Sequence, residues 1–205
     1  TAQVEAMGVD IRLNAPVAEE MLNNGTVDAV ILASGAEKMI PPIPGIELPH
    51  VTDAFQILGG QVRPGTNIVI IGGGMIGMET ADFLLAQKKT SSVTVVEMLP
   101  RSPVKKFAAH GYMLHKRLRE GGGRLLLGAK VDRIEQNAVI VSMQEKGEET
   151  IPADQVVLAV GTRSCCELKE ALEEKGIRHF VVGDANQPRR IIEATEEGAR
   201  AAWRI

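Results

Sequence analysis

The stretch IVIIGGGMIGMETADFLL, Ile68 to Leu85, reads as a strand, a glycine turn and a helix. Glycines at 72, 74 and 77 have the G-x-G-x-x-G spacing of a dinucleotide-binding turn. Each has its own physical task. Gly72 allows the tight turn out of the strand, and Gly74, lacking a side chain, lets the backbone approach a pyrophosphate. Gly77 lets helix and strand pack closely, and Ala81 one turn later keeps that contact small. Unpaired N–H groups at the helix start face the phosphates, aided by the helix dipole. Gly72, Gly73, Gly74, Met75, Ile76 and Gly77 are therefore the candidate cofactor-binding turn. The bland alternative is a glycine turn used only for packing.

Its surroundings fit the nucleotide reading. Ile76, Thr80, Phe83 and Leu84 give the helix one stripe expected to face the core. A second strand, VTVVE, ends at Glu97, twenty residues after Gly77, where such motifs place the acid that binds ribose. A carboxylate there accepts from both ribose hydroxyls and repels the extra phosphate of NADP, so NAD(H) is the expected cofactor. Arg101, four residues on, is the one feature favouring NADP, and it reads equally as a solvated surface arginine. Glu79 is either an exposed helical glutamate or a catalytic-side carboxylate directed toward the nicotinamide.

Composition narrows the classes. A net charge of −3 with scattered Lys and Arg offers no nucleic-acid surface. The longest apolar runs, Ile68–Ile71 and Val156–Val160, are strand-sized, so no membrane association is expected. Cys165 and Cys166 are adjacent, with neither CxxC nor zinc-site spacing, and read as plain thiols or as a vicinal redox pair. The four histidines show no metal-ligand spacing; His115, with Lys116, Arg117 and Arg119, is expected on a solvated basic helix face. No metal site is expected, and a cytoplasmic location is the default.

Along the chain, GVDIRLNA (Gly8–Ala15) alternates like a half-buried strand, with Thr1 rather than Met at the start, suggesting a piece of a longer polypeptide. A short polar connection leads to VDAVILASGA (Val27–Ala36), read as a buried strand. IPPIPG (Ile40–Gly45), with three prolines, is a stiff loop. A short helix at 52–58 precedes the glycine motif. Strand 67–71, helix 75–88, strand 93–97, helix 110–120 and strand 124–127 then alternate, implying a parallel sheet with right-handed crossovers. Gly121–Gly123 reads as a loosened helix-to-strand loop. Residues 130–151 read as an antiparallel meander, followed by strand QVVLAVG (Gln155–Gly161). A charged helix (167–175), strand HFVVGDA (His179–Ala185) and a last helix through Trp203 complete the chain.

The order Gly72–Glu97, meander, QVVLAVGTR resembles the NAD domain of the two-dinucleotide flavoprotein reductases, the pyridine nucleotide–disulfide reductase superfamily. The flanks resemble its FAD domain: VDAVILASGA with Ser34 and Gly35 at the strand end, and FVVGDA with Gly183 and Asp184. More narrowly, RLNAPV, IPPIPGIELPHVTDAFQIL and GDANQPRRIIEATEEGARAA are similar to the C-terminal half of the 2,4-dienoyl-CoA reductase and trimethylamine dehydrogenase group. GDAN departs from that group's frequent cysteine after the aspartate.

The resemblance implies an α/β fold: a Rossmann-like parallel sheet with an antiparallel meander, inserted in a partial FAD-type domain whose own N-terminal fingerprint is missing. The expected domains are 1–50 with 163–205 (FAD-type) and 51–162 (NAD-binding, with Gly161 at the cofactor). It further implies that Asp184 holds the ribityl chain of FAD and that the helix start near Pro188–Ile191 faces the flavin. NADH passes hydride to FAD, then electrons reach FMN through an iron–sulfur cluster and reduce an activated alkene such as an enoyl-CoA. FMN and cluster belong to an upstream β/α-barrel of the same polypeptide; an oligomer is compatible. The isolated chain is expected to bind NADH weakly, hold little or no FAD and not be fully active. Two alternatives stay open: a disulfide or peroxide reductase of the same superfamily, and a non-catalytic nucleotide-binding module.

Overall fold

The computed structural model describes residues 2–22, 27–144 and 147–205. Residues 23–26 of the polar connection and 145–146 of a meander turn lie outside them, as does Thr1. The chain divides into two units, Thr1–Glu37 with Thr162–Ile205, and Lys38–Gly161. The expected boundary at residue 50 is thus corrected to 37. Ile43, Ile46 and Leu48 pack on the second unit's core, and the Ile134 N–H donates to the Pro44 carbonyl at 2.8 Å. The proline-rich segment is a loop, as three prolines require, but its apolar residues belong to the nucleotide-type unit.

The first unit opens with helix α1 (Ala2–Ala6). Gly8–Ala15 does not form the expected strand: Gly8 and Asn14 have φ of 79° and 53°, and its side chains are exposed. Alternation alone makes no strand where no sheet face covers the apolar residues. The strand expected over 27–36 shrinks to β1 (Val30–Leu32), of which only Leu32 is buried, followed by β2 (Ala36–Lys38).

The second unit runs β3 (Val51–Asp53), α2 (Ala54–Leu58), β4 (Asn67–Ile71), α3 (Met75–Ala86), β5 (Ser92–Glu97), α4 (Ala109–Glu120) and β6 (Arg124–Leu127). The meander β7 (Ala129–Glu135), β8 (Ala138–Met143), β9 (Gly147–Pro152) and then β10 (Gln155–Leu158) follow. The sheet order is β3-β10-β4-β5-β6, all parallel. β4 is paired on both sides and covered on both faces, which is why it reads as an unbroken apolar run rather than an alternation.

Strand period separates its two cores. Ile68 and Ile70 pack with Met78, Ala81 and Leu84 of α3 and Leu114 and Leu118 of α4. Val69 and Ile71 pack with Val139, Val141 and Ile151 of the meander. The α3 stripe differs from expectation: Met78 is fully buried, whereas Phe83 is 37% exposed. Close helix–strand contact at Gly77 and Ala81 turns α3 so that the flexible thioether enters the core; burying it is worth about 1.5–3 kcal/mol. The entry to β4 is fixed by Asp154, which accepts from the Thr66 and Asn67 N–H groups at 2.9 and 3.0 Å.

The chain then returns to the first unit through β11 (Thr162–Ser164), α5 (Leu168–Glu174), β12 (His179–Val181), a 3-10 turn at Gly183–Ala185, and α6 (Ile191–Ala202). β12 pairs parallel with β1, and Leu22, Leu32, Leu172 and Ile177 form this unit's core.

Candidate functional site

Gly72 leaves β4 with φ 109°, a region other residues rarely adopt, and a Cβ there would lie 2.4 Å from the Ala159 carbonyl oxygen. A Cβ on Gly77 would lie 1.9 Å from the Gly72 carbonyl oxygen, so α3 can start this close to the turn only with glycine. Gly74 is different in kind. It caps α3 with φ −71° and no side-chain cap bond, and a Cβ on it would meet nothing within 4 Å. The space in front of it is open, and the first N–H groups of α3 face it without a capping side chain. That arrangement fits a pyrophosphate.

Glu97, at the end of β5, is 7% exposed, and each carboxylate oxygen accepts from the backbone. Oε2 takes the Gly73 N–H at 2.8 Å, and Oε1 takes the Leu99 N–H at 2.8 Å. A carboxylate has about four acceptor positions, so lone pairs remain for further donors such as ribose hydroxyls. Met98 and Leu99 beside it are exposed apolar side chains, and Arg101 is exposed with no ion pair among the described residues.

At the carboxyl ends of β3, β10 and β4 lies a cleft of ≈ 240 Å³, lined by Ile76, Val160 and Gly161 together with Lys38, Asp53 and Phe55. It sits where sequence order along the sheet reverses between β10 and β5, the position at which open α/β sheets take ligands. Gly161 has φ 100° and open space where a Cβ would be. Met75 is exposed at the start of α3, and Ile76 is half-buried in the cleft lining.

Glu79 is not among the residues that line this cleft. Its Oε1 lies 2.9 Å from His110 Nε2, joining α3 to the start of α4 at the surface. The expected basic face of α4 is also corrected at His115. Its Nε2 lies 3.0 Å from the Val104 carbonyl oxygen and 3.2 Å from Ser102 Oγ, holding the loop before α4. The Gly121–Gly123 loop is open at Gly122, with φ 76°, but tight at Gly123, where a Cβ would lie 2.4 Å from Leu118 Cδ1.

In the first unit, Gly183 has φ 61° and donates its N–H to Glu197 at 2.8 Å. Asp184 is half-buried; Oδ1 accepts from the Arg189 N–H at 3.2 Å, leaving Oδ2 without a bond among the described residues. The Arg189 guanidinium, and after it the Gly183 N–H, hold the Glu197 carboxyl below the usual carboxylate range. Ser34 is exposed and donates to the Cys165 carbonyl, and Gly35 has φ 76°. A free carboxylate oxygen on Asp184, with open space in front of Gly35, fits the polar chain of a flavin. The start of α6 is occupied by its own side chain, the Arg190 N–H donating to Glu193 at 3.1 Å. Cys165 and Cys166 are free and half-buried. Among the described residues no cluster of three metal-ligating side chains occurs, and no helix is long and apolar enough to cross a membrane.

Lys38, Asp53 and His110 carried no signal in the sequence. Asp53 with Gln56 makes a capping box, the D-x-x-Q pattern that marks only a helix start, and its bond to Lys38 joins residues fifteen apart in sequence.

A parallel sheet, a glycine turn at its central strand and a carboxylate ending the next strand define a dinucleotide-binding α/β protein. The chain belongs to the pyridine nucleotide-disulphide oxidoreductase family, whose family model matches residues 2–198. It is 37% identical over 203 residues to the bilirubin reductase of Mediterraneibacter gnavus, covering 98% of this chain and 31% of that protein. It is 34% identical over 209 residues to the NADH oxidase of Thermoanaerobacter brockii, covering 100% and 32%. The solved 2-naphthoyl-CoA reductase, in complex with 2-naphthoyl-CoA, matches with a TM-score of 0.83 at 26% identity, covering 100% of this chain and 31% of that one. The chain thus spans about a third of the length of these relatives.

Proposed function

We propose that this chain is the NADH-binding part of a flavin-dependent oxidoreductase. The observation that carries the reading is the open, uncapped helix start at Gly74 beside a buried Glu97 carboxylate. Gly72–Gly77 holds the pyrophosphate on backbone N–H groups. Glu97 accepts from the adenosine ribose hydroxyls and favours NAD(H) over NADP(H). The cleft of Ile76, Val160 and Gly161 receives the nicotinamide and keeps water from it. Asp184 Oδ2, with Gly183, Ser34 and Gly35, forms the part of the FAD site that this chain supplies. Bound FAD supplies the hydride-accepting chemistry, and the protein's share is binding and orientation.

The relatives are about three times as long as this chain, which supports a larger assembly. Within our proposal an upstream β/α-barrel of the same polypeptide carries FMN and an iron–sulfur cluster, as in the 2,4-dienoyl-CoA reductase group, and the electrons reach an activated alkene such as an enoyl thioester. The location is cytoplasmic. Glu79, joined to His110, acts on the orientation of α3 and α4 rather than on the nicotinamide itself.

Anaerobic addition of NADH to the full-length protein tests the reading. Bleaching of the flavin absorbance by one equivalent of NADH is the expected result. An unchanged flavin spectrum in a protein that binds NADH would instead support a non-catalytic nucleotide-binding module.

A further inference from the structure

One wall of the cleft at the ends of β3, β10 and β4 is polar, and the glycine turn makes no use of it. Lys38 Nζ donates to Asp53 Oδ2 at 2.6 Å. The other oxygen, Oδ1, accepts from the Gln56 N–H at 3.0 Å as the cap of α2, which fixes the carboxylate's orientation. The Phe55 ring lies 6.0 Å from Lys38 Nζ and limits where the ammonium can swing. Asp53 is 17% exposed and Lys38 51%, so the pair is anchored at the acid and open at the amine. The same cleft is also lined by the apolar side chains of Ile76 and Val160 with Ile46.

Hydrogen-bonding capacity says what this wall accepts. An ammonium has three donors, of which Asp53 uses one; Oδ2 keeps a further lone pair. The pair therefore shows a bound molecule one donor beside one acceptor, next to an apolar floor. A primary carboxamide on a flat ring is the matching group, with a carbonyl oxygen that accepts and an amino group that donates. A carboxylate, ester or ketone offers acceptors only and would leave Oδ2 desolvated against another oxygen.

We propose that Lys38 and Asp53 recognise the carboxamide of the nicotinamide ring, Lys38 Nζ donating to its oxygen and Asp53 Oδ2 accepting from its NH2. This rests on the reading that NAD(H) binds at Gly72–Gly77. The two contacts fix the rotation of the ring in the cleft, and so which edge of it faces away from β10. Burial works to raise the Asp53 carboxyl, but the bond from Lys38 and the Gln56 N–H outweigh it and hold the group below its usual range, so it is an acceptor at neutral pH.

The test compares, in the full-length enzyme, NADH with its 3-acetylpyridine analogue, in which a methyl replaces the NH2, and uses ADP-ribose as a ligand without the ring. Asp53→Asn keeps the helix cap through its amide oxygen, and so turns an NH2 toward the carboxamide NH2. We expect KM for NADH to rise about tenfold, the loss of roughly one good hydrogen bond. Because Asp53 Oδ2 also holds Lys38 Nζ, KM for the analogue should rise too, but by less than KM for NADH, so that the NADH-to-analogue KM ratio increases, and Kd for ADP-ribose should not change. Lys38→Met leaves the cap untouched and removes the donor to the carbonyl, so KM should rise for NADH and analogue alike. An NADH-to-analogue KM ratio equal to wild type in Asp53→Asn overturns the proposal while leaving NAD(H) binding intact. Failure of the wild type to bind either ADP-ribose or NADH overturns both the proposal and the reading beneath it.

Discussion

Glu97 Oε2 accepts the N–H of Gly73 at 2.8 Å, so the acid at the end of β5 is tied to the glycine turn at the end of β4. Gly73 must be glycine for this, because a Cβ there would lie 2.9 Å from the Glu97 Cβ. The shape of the turn and the position of the acid are one structural unit.

Substituting Glu97 therefore costs stability as well as binding. With Oε1 on Leu99 and Oε2 on Gly73, Glu97→Gln sets its NH2 against a backbone N–H whichever way the amide turns. A buried donor left unpaired costs about 1–3 kcal/mol. Urea unfolding of wild type and variant measures it, with the variant expected to be the less stable.

Nucleotide choice follows from the same carboxylate. The 2′-phosphate of NADPH brought within ~4 Å of it is opposed by on the order of 4 kcal/mol at an effective dielectric of ~20, and rim solvent lowers that figure. Even half of it exceeds tenfold in affinity, at about 1.4 kcal/mol per decade. Wild-type kcat/KM should favour NADH over NADPH by more than about tenfold, and Glu97→Gln should narrow the ratio by removing the charge. Steady-state kinetics with both nucleotides decides it.

The strands and helices of the second unit are legible in the sequence because local and long-range signals agree there. Residues 68–71 are apolar throughout as a doubly paired strand requires, glycines stand where backbone approaches closely, and the apolar run of β8 lies between polar turns. The first unit is less legible. Gly8–Ala15 alternates without a covered sheet face, and β1 keeps only three residues of an expected ten. At the site, Gly72, Gly74, Gly77 and Glu97 sit within one βαβ unit, so spacing alone brings them together. Lys38 and Asp53 meet across loop residues 39–50, whose path no periodicity encodes, and Glu79 meets His110 from a neighbouring helix. Helical period alone points Phe83 inward, while the glycine contact that sets the rotation of α3 favours Met78.

Acid stability should report the Lys38–Asp53 pair. The folded-state value of the Asp53 carboxyl is depressed, so its contribution is present above the unfolded carboxylate value, about 3.9, and is lost as pH falls through the lower folded value. Wild type should therefore lose more stability than Asp53→Asn when pH is lowered from ~5 through ~4 and below. Thermal unfolding across that range checks the sign: a variant curve as steep as wild type would show that the pair contributes nothing.

The most direct measurement titrates NADH calorimetrically into wild type, Gly74→Val and Gly77→Ala, with Tm recorded for each. A side chain at 77 meets the Gly72 carbonyl at 1.9 Å, so Gly77→Ala should lose about 1–3 kcal/mol of stability. At 74 a Cβ meets nothing within 4 Å and φ is −71°, so only the weaker helix cap is lost and Tm should fall by no more than about 3 °C. Yet that side chain fills the space assigned to the pyrophosphate. The account predicts that Gly74→Val keeps its fold and binds NADH at least about tenfold more weakly than wild type. Wild-type affinity for NADH in a folded Gly74→Val would contradict it.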